Sequence, residues 1–408
     1  MIAIQFKDRQ QAIADYLISI VPPVISRIKI LQTSLNHVQG VRVKGNGIEH
    51  QKYRVVTRKI FNTVLINSNR LPEAGFNLGT YEATVKNHLA NPLNQLGTLN
   101  LVGLSALVKS LLAYNASKLK KLLVCPPDDL ASMNNNLLST HSVTSALDRD
   151  VLKLAFDYTN YNTDIGYPIR QFFRNEDMVV VCPYCNIMEA DYSETPEGEV
   201  ATHHFLDHFF DKATSPLLSY SMFNLVPSDT ICNGTNKGTN NFHDDYHQNP
   251  HAGGFLKNLS FEPVTGKVNA TIMEIIPKII SPFGDKIYKK MIGNEKAILQ
   301  SSKEGNINVF KILTKYNRKH VLEDATEVLK KMNDLITTRA SLKHFLERMK
   351  LTNNLDNYKF WYQNEFSKPF DEAYFNTRPY AKLYRDLHDY VMKADTNKIN
   401  DNIRKHIY

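Results

Sequence analysis

The chain has 408 residues, 42% hydrophobic and 22% charged, with 17 glycines and 17 prolines, a balance that excludes collagen-like, disordered and coiled-coil chains. Its formal net charge of +8 is unevenly spread: residues 1–150 hold 17 Lys and Arg against 9 Asp and Glu, residues 151–250 hold 5 against 14, and residues 251–408 hold 27 against 18. An acidic centre between two basic arms suits a cation held by carboxylates beside a polyanionic partner, although such charges also serve simply to solvate helix faces.

No stretch reaches the roughly 18 apolar residues of a membrane helix. Asp8, Arg9, Asp15 and Arg27 interrupt the N-terminal run, so the expectation is a soluble, cytoplasmic chain with no leader segment and no membrane partner. Four cysteines, Cys125, Cys182, Cys185 and Cys232, are too few for a disulfide framework and fit a reducing compartment. The length suits two or three domains, placed here as a helical N-terminal domain 1–165, a central domain 166–270 and a helical C-terminal domain 271–408.

Helical periodicity dominates the first 165 residues, as in Ile13, Leu17, Ile20 and in Ala146, Leu147, Val151, Leu154. Pro22-Pro23, Gly45-Asn46-Gly47 and Cys125-Pro126-Pro127 are expected to break it into short helices, with Cys125 a small core residue. The pattern changes at Asp177. A β-rich run, Met178 to Val181, leads into Cys182-Pro183-Tyr184-Cys185, and a turn at Glu194 to Gly198 precedes the strand-like Val200 to Phe210. Past Thr271 helical spacing returns, clearest in Val321, Ala325, Val328 and Met332. Tyr374, Tyr380 and Tyr384 fall at helical spacing and read as core.

The central segment carries the chemistry. Cys182-x-x-Cys185 is a knuckle, and Asp229-Thr230-Ile231-Cys232 repeats its spacing with a carboxylate in place of the first thiolate. Three sulfurs and one oxygen can hold a structural Zn²⁺, with Asp229 or water as fourth ligand, or the site has lost its metal. Between the knuckles stand His203-His204-Phe205-Leu206-Asp207-His208, then Asn224 and Asn233. The segment 182–238, with Asp207, His208, Asn224 and Asn233 in this order and spacing, resembles the HNH nucleases, the ββα-metal family.

The resemblance implies an α+β, mostly α chain in which a ββα-metal HNH domain is flanked by helical regions. It also implies a DNA endonuclease dependent on Mg²⁺ or Mn²⁺. On it, His208 is the general base, Asn224 orients it, and Asp207 and Asn233 hold the metal. Lys237 falls where many relatives carry a second metal-binding His and is assigned to phosphate, as is Lys212. Asp211 in place of a common Pro, and Asp229 in place of a Cys, depart from the family's pattern. The chemistry is consistent with these roles, because a neutral imidazole held by an acceptor on one nitrogen deprotonates water near neutral pH with the other. His243, His247 and His251 recur every four residues as possible further ligands, and His203 and His204 read as structural.

Downstream, Asn249-Pro250-His251 with Gly254-Phe255, and Val309-Phe310-Lys311 with Tyr316-Asn317 and His320, resemble the tail of larger bacterial HNH proteins. Some of those belong to ATPase and nuclease pairs in anti-phage defence of the Septu type, which implies an ATPase or other regulatory partner. Two rivals remain open. Cys-Pro-Tyr-Cys after Val179-Val180-Val181 is also a glutaredoxin signature, but a helix should then follow Cys185 directly, and Pro196 and Gly198 argue for a hairpin. A non-catalytic, zinc-braced nucleic-acid adaptor would bind DNA without nicking it.

Overall fold

The computed structural model describes residues 2–6, 8–39, 41, 48–67, 99–156, 165–175, 181–188, 193–194, 200–202, 205–243, 246–254, 259–266, 271–279, 305–336 and 355–394. The described chain is mostly helical, with three two-stranded sheets. It divides into two compact units, one built from Asp8–Phe172 and His208–Leu225, the other from Met1–Lys7, Phe173–Asp207 and Val226–Tyr408.

The first unit is helical. Helix α1 (Arg9–Val38) starts where the Asp8 carboxylate accepts the Gln10 and Gln11 N–H groups. The expected break at Pro22-Pro23 does not occur, and α1 runs unbroken through both prolines. Its buried stripe, Tyr16, Ile20, Val24, Ile28, Leu31 and Leu35, keeps one helical spacing across them. That stripe packs against α2 (Ile48–Asn67) and α3 (Leu101–Leu123), and its burial offsets a cost of about 3 kcal/mol for an internal proline. Within α3 the chain turns left-handed at Tyr114, Asn115 and Ala116 (φ 51 to 57°). Helices α4 (Leu130–Thr140) and α5 (Ala146–Lys153) follow, α5 capped by Ser145. Cys125 is buried as expected, and burial, with the nearby Asp129 charge, pushes its thiol up to about 11.

The segment 208–225 is fixed inside this unit. The hydroxyl of Tyr16 donates to the Tyr220 carbonyl at 2.6 Å, Arg27 donates to the Tyr220 hydroxyl at 2.7 Å, and the Ser221 hydroxyl donates to the Leu122 carbonyl at 2.8 Å. Helix α6 (Gly166–Asn175) carries the chain from one unit into the other.

The second unit holds β1 (Ser193–Glu194) antiparallel to β2 (Val200–Thr202). Strand β3 (Phe205–His208) pairs with β4 (Leu225–Ser228), and the chain changes units within each of these two strands. The strand expected from Val200 to Phe210 is therefore two strands, with Phe209 and Phe210 beyond the second. A π-helical turn, Ile231–Lys237, follows β4.

Strands β5 (Leu259–Thr265) and β6 (Ile272–Ile279) form an antiparallel hairpin. Helices α7 (Asn306–Val309), α8 (Ile312–Tyr316), α9 (Lys319–Ile336), α10 (Leu355–Phe366) and α11 (Ala381–Ala394) follow. Val321, Ala325, Val328 and Met332 on α9 are buried as their spacing predicts. Tyr374, expected in the core, is exposed. Helix α11 is pinned to β5 by polar groups: the Lys382 ammonium donates to the Leu259 carbonyl at 2.7 Å, and Asp386 accepts the Phe261 N–H at 2.9 Å. No described helix is long and apolar enough to cross a membrane.

Candidate metal centre and the Asp207 and His208 sites

The second unit brings Cys182, Cys185, Asp229 and Cys232 together, with one donor atom from each lying within 4.8 Å of the others and all four residues buried. Tetrahedral metal–sulfur bonds of ~2.3 Å place sulfurs ~3.8 Å apart, so the four donors can hold a metal ion. Local structure explains the grouping. The Asn186 N–H donates to the Cys182 carbonyl and the Cys182 N–H to the Met188 carbonyl, both at 2.8 Å, which closes the first knuckle as a turn. Asn186, left-handed at φ 55°, donates from its side chain to the Phe375 carbonyl at 2.9 Å and so ties that turn to the C-terminal region.

In the second knuckle Asp229 does two jobs. One carboxylate oxygen accepts the N–H groups of Ile231 and Cys232 at 2.8 and 2.9 Å, while the other faces the Cys185 sulfur at 3.6 Å. A cysteine sulfur at this position would accept the same N–H groups only weakly.

Two residues not assigned from the sequence complete the surroundings. Helix α8 presents the Lys315 ammonium 3.5 Å from the Cys232 sulfur, and the Tyr316 hydroxyl donates to the Cys185 carbonyl at 3.4 Å. Burial alone would pull Lys315 down, but the negative charge of Cys185, then of Cys232, turns its shift upward. Burial pushes Cys182 well up, whereas hydrogen bonds with Cys182 and Cys232, aided by the Lys315 charge, hold Cys185 well below an ordinary thiol. Among the described residues, 186–188 directly after Cys185 are not helical, whereas a glutaredoxin-like pair needs a helix to start there.

Asp207, in the same unit, is buried and has a donor on each carboxylate oxygen: the Tyr184 hydroxyl at 2.6 Å and the Lys237 ammonium at 2.7 Å. Burial, with the neighbouring Asp207 charge, pushes the Tyr184 phenol well up, so it stays a donor. Lys237 also lies over the Phe242 ring, 4.9 Å from its centre. The phosphate role expected of Lys237 is not what this placement provides, since its side chain is 4% exposed and turned to Asp207. Nor does a divalent ion fit Asp207 as it is held, because both oxygens are taken and an ammonium stands beside one of them. Asn233 is half-buried in the π-helical turn, and its side-chain amide makes no hydrogen bond to another described residue.

His208 and Asn224 belong to the first unit. The half-buried imidazole of His208 has Nε2 3.0 Å from the Ser219 carbonyl. A carbonyl only accepts, so Nε2 carries a proton, and in the neutral ring the lone pair then falls on Nδ1. Asn224 does not reach that imidazole. Its buried amide accepts the Phe210 N–H at 2.8 Å and donates to the Phe210 and Leu218 carbonyls, both at 3.1 Å. The physical reason is hydrogen-bond demand: the loop between the strands buries backbone groups that only a side-chain amide, with a donor and an acceptor, can satisfy together. His208 is held instead by the backbone carbonyl that the loop presents.

Lys212 is half-buried in the turn after β3. His247 stacks on Phe242 with ring centres 3.9 Å apart, and His251 packs near Phe6 and Phe173. Neither belongs to the four-residue cluster. His203 and His204 lie outside the described residues. Comparison with family models, with curated proteins and with solved structures found no match.

Proposed function

We propose that the chain is an HNH-type endonuclease that hydrolyses phosphodiester bonds in DNA, braced by a zinc ion on Cys182, Cys185, Cys232 and Asp229. The observation that carries the reading is the Ser219 carbonyl 3.0 Å from His208 Nε2, a contact that holds a proton on that nitrogen and puts the lone pair of the neutral ring on Nδ1. Three buried thiols and a carboxylate suit Zn²⁺ above harder cations. A bound zinc ion would supply no chemistry to the reaction, only a clamp between the two knuckles.

In the proposed reaction His208 Nδ1 takes a proton from water as the oxygen bonds to phosphorus. The P–O3′ bond breaks, leaving a 5′ phosphate and a 3′ hydroxyl whose proton comes from solvent. Loss of a positioned general base typically lowers a rate by about 10²- to 10⁴-fold. Asn224 acts on this step indirectly, by holding the loop that presents the Ser219 carbonyl. The tail around Asn249-Pro250-His251 extends the proposal to a bacterial defence effector working beside an ATPase.

The test is nicking of supercoiled plasmid with Mg²⁺, Mn²⁺ or EDTA by wild type and His208→Ala. Open circle in the wild-type lane, lost in a folded variant that still binds DNA, is the expected outcome. An equal rate in the variant would sink the mechanism. The closed Asp207–Lys237 pair favours a second reading, a DNA-binding adaptor, which predicts plasmid binding without nicking under every metal condition.

A further inference from the structure

We propose that Lys237 is a built-in cation that locks the Asp207 carboxylate, so that a divalent ion binds Asp207 only in exchange for it. This inference rests on the nuclease reading for its functional meaning, but its geometry stands within one unit. The ion pair is 2.7 Å long with side chains 4% and 5% exposed, and the Tyr184 hydroxyl closes the other carboxylate oxygen at 2.6 Å.

The surroundings favour a fixed ammonium. The Phe242 ring offers its face to Lys237, and Phe310 stacks on Tyr184 with ring centres 4.1 Å apart, holding the phenol in place. Water is thereby kept from the pair, which strengthens the attraction between the two charges. A dication at Asp207 would meet this ammonium at short range, and like charges repel most strongly where water is excluded. Occupancy by Lys237 and by a metal are therefore mutually exclusive states of one carboxylate. The resting chain holds the closed state, and the consequence for a nuclease is a high Mn²⁺ requirement set by the exchange.

The experiment measures Mn²⁺ uptake, from the electron paramagnetic resonance of the free ion, on the zinc-loaded full chain without nucleic acid. Wild type, Lys237→Met and the double variant Asp207→Asn with Lys237→Met are compared. The lock predicts one Mn²⁺ site in Lys237→Met at least about tenfold tighter than any site in wild type, and its loss in the double variant. Equal uptake by wild type and folded Lys237→Met overturns it.

Should Lys237→Met fail to fold because its buried carboxylate is unpaired, the double variant, which carries neither charge, still decides. Wild type must then bind, beyond the double variant, at most one Mn²⁺ and only at the highest concentrations, and a further wild-type site filled at the lowest Mn²⁺ concentrations overturns the proposal. Plasmid nicking run in parallel separates the two ideas. The expected uptake pattern with no nicking by any variant refutes the nuclease reading and leaves the lock standing.

Discussion

At the scale of single residues, much of this chain's chemistry is set by which polar groups are buried and what satisfies them. Asn224 is fully buried and makes three hydrogen bonds to backbone groups of its loop. Replacing it with Ala leaves those groups unsatisfied at about 1–3 kcal/mol each. The Asn224→Ala protein should lose about 3 kcal/mol or more of unfolding free energy, read from the urea midpoint at unchanged slope. A change under about 0.5 kcal/mol, the size of an ordinary surface substitution, would contradict the brace.

Lys315 invites a different measurement. Three thiolates and a carboxylate around a dication leave two negative charges in excess, and the buried Lys315 ammonium beside Cys232 offsets one. Outer-shell partners of metal ligands typically change affinity by about 10- to 100-fold. Lys315→Met should weaken zinc binding by that factor in a chelator competition, while Lys315→Arg keeps most of it. The sulfur-to-metal charge-transfer band of the Co²⁺-loaded protein reports whether three thiolates still bind. Unchanged affinity in Lys315→Met would show that the ammonium is packing only.

At the scale of elements, polar pins decide how the C-terminal helices sit. His388 on α11 is fully buried, with Nε2 2.6 Å from the Tyr358 hydroxyl of α10 and Nδ1 2.8 Å from Asp389. The Arg385 guanidinium shares Asp389 at 2.9 Å, and the Tyr362 ring faces the imidazole at 5.5 Å. Burial holds the imidazole below its ordinary value of 6.5, against the opposing pull of Asp389. A lowered histidine takes up its proton more readily in the unfolded chain, so the stability it lends is present above the unfolded value and is lost as pH falls below it.

The melting temperature should therefore fall between about pH 7 and about pH 5. His388→Gln, which can serve both partners without titrating, should flatten that fall. An identical pH slope in the two proteins would remove His388 as its source. The same element scale explains why proline failed as a breaker in α1. Proline acts locally, while the buried stripe from Tyr16 to Leu35 spans more than five helical turns and packs on two other helices.

At the scale of the whole molecule, each unit is assembled from separated stretches of chain. The helical unit takes 208–225 in addition to 8–172, and the other takes 1–7, 173–207 and 226–408. Composition and periodicity read along the chain gave three consecutive domains, because both signals are local and neither reports which segments close on each other. The N-terminal residues show this clearly. Ile2 and Ile4 are buried, and their N–H groups donate to the carbonyls of Pro183 and Pro250 at 2.8 and 3.1 Å. No pattern in six residues announces partners 181 and 246 positions away.

The amino-acid sequence by itself determined the helical character, the buried stripe of α9, and the grouping of Cys182, Cys185, Asp229 and Cys232, because helical spacing and paired knuckles are short-range patterns with strong chemistry. It also singled out Asp207, His208 and Asn224, but not what each would touch. Tertiary structure decided that Lys237 faces Asp207 rather than solvent, that Asn224 serves backbone groups rather than the imidazole, and that Lys315 stands beside Cys232 from 83 residues away. The physical reason is common to all three. A buried polar group must be satisfied, and the partner is chosen by three-dimensional proximity, which residue order alone does not encode.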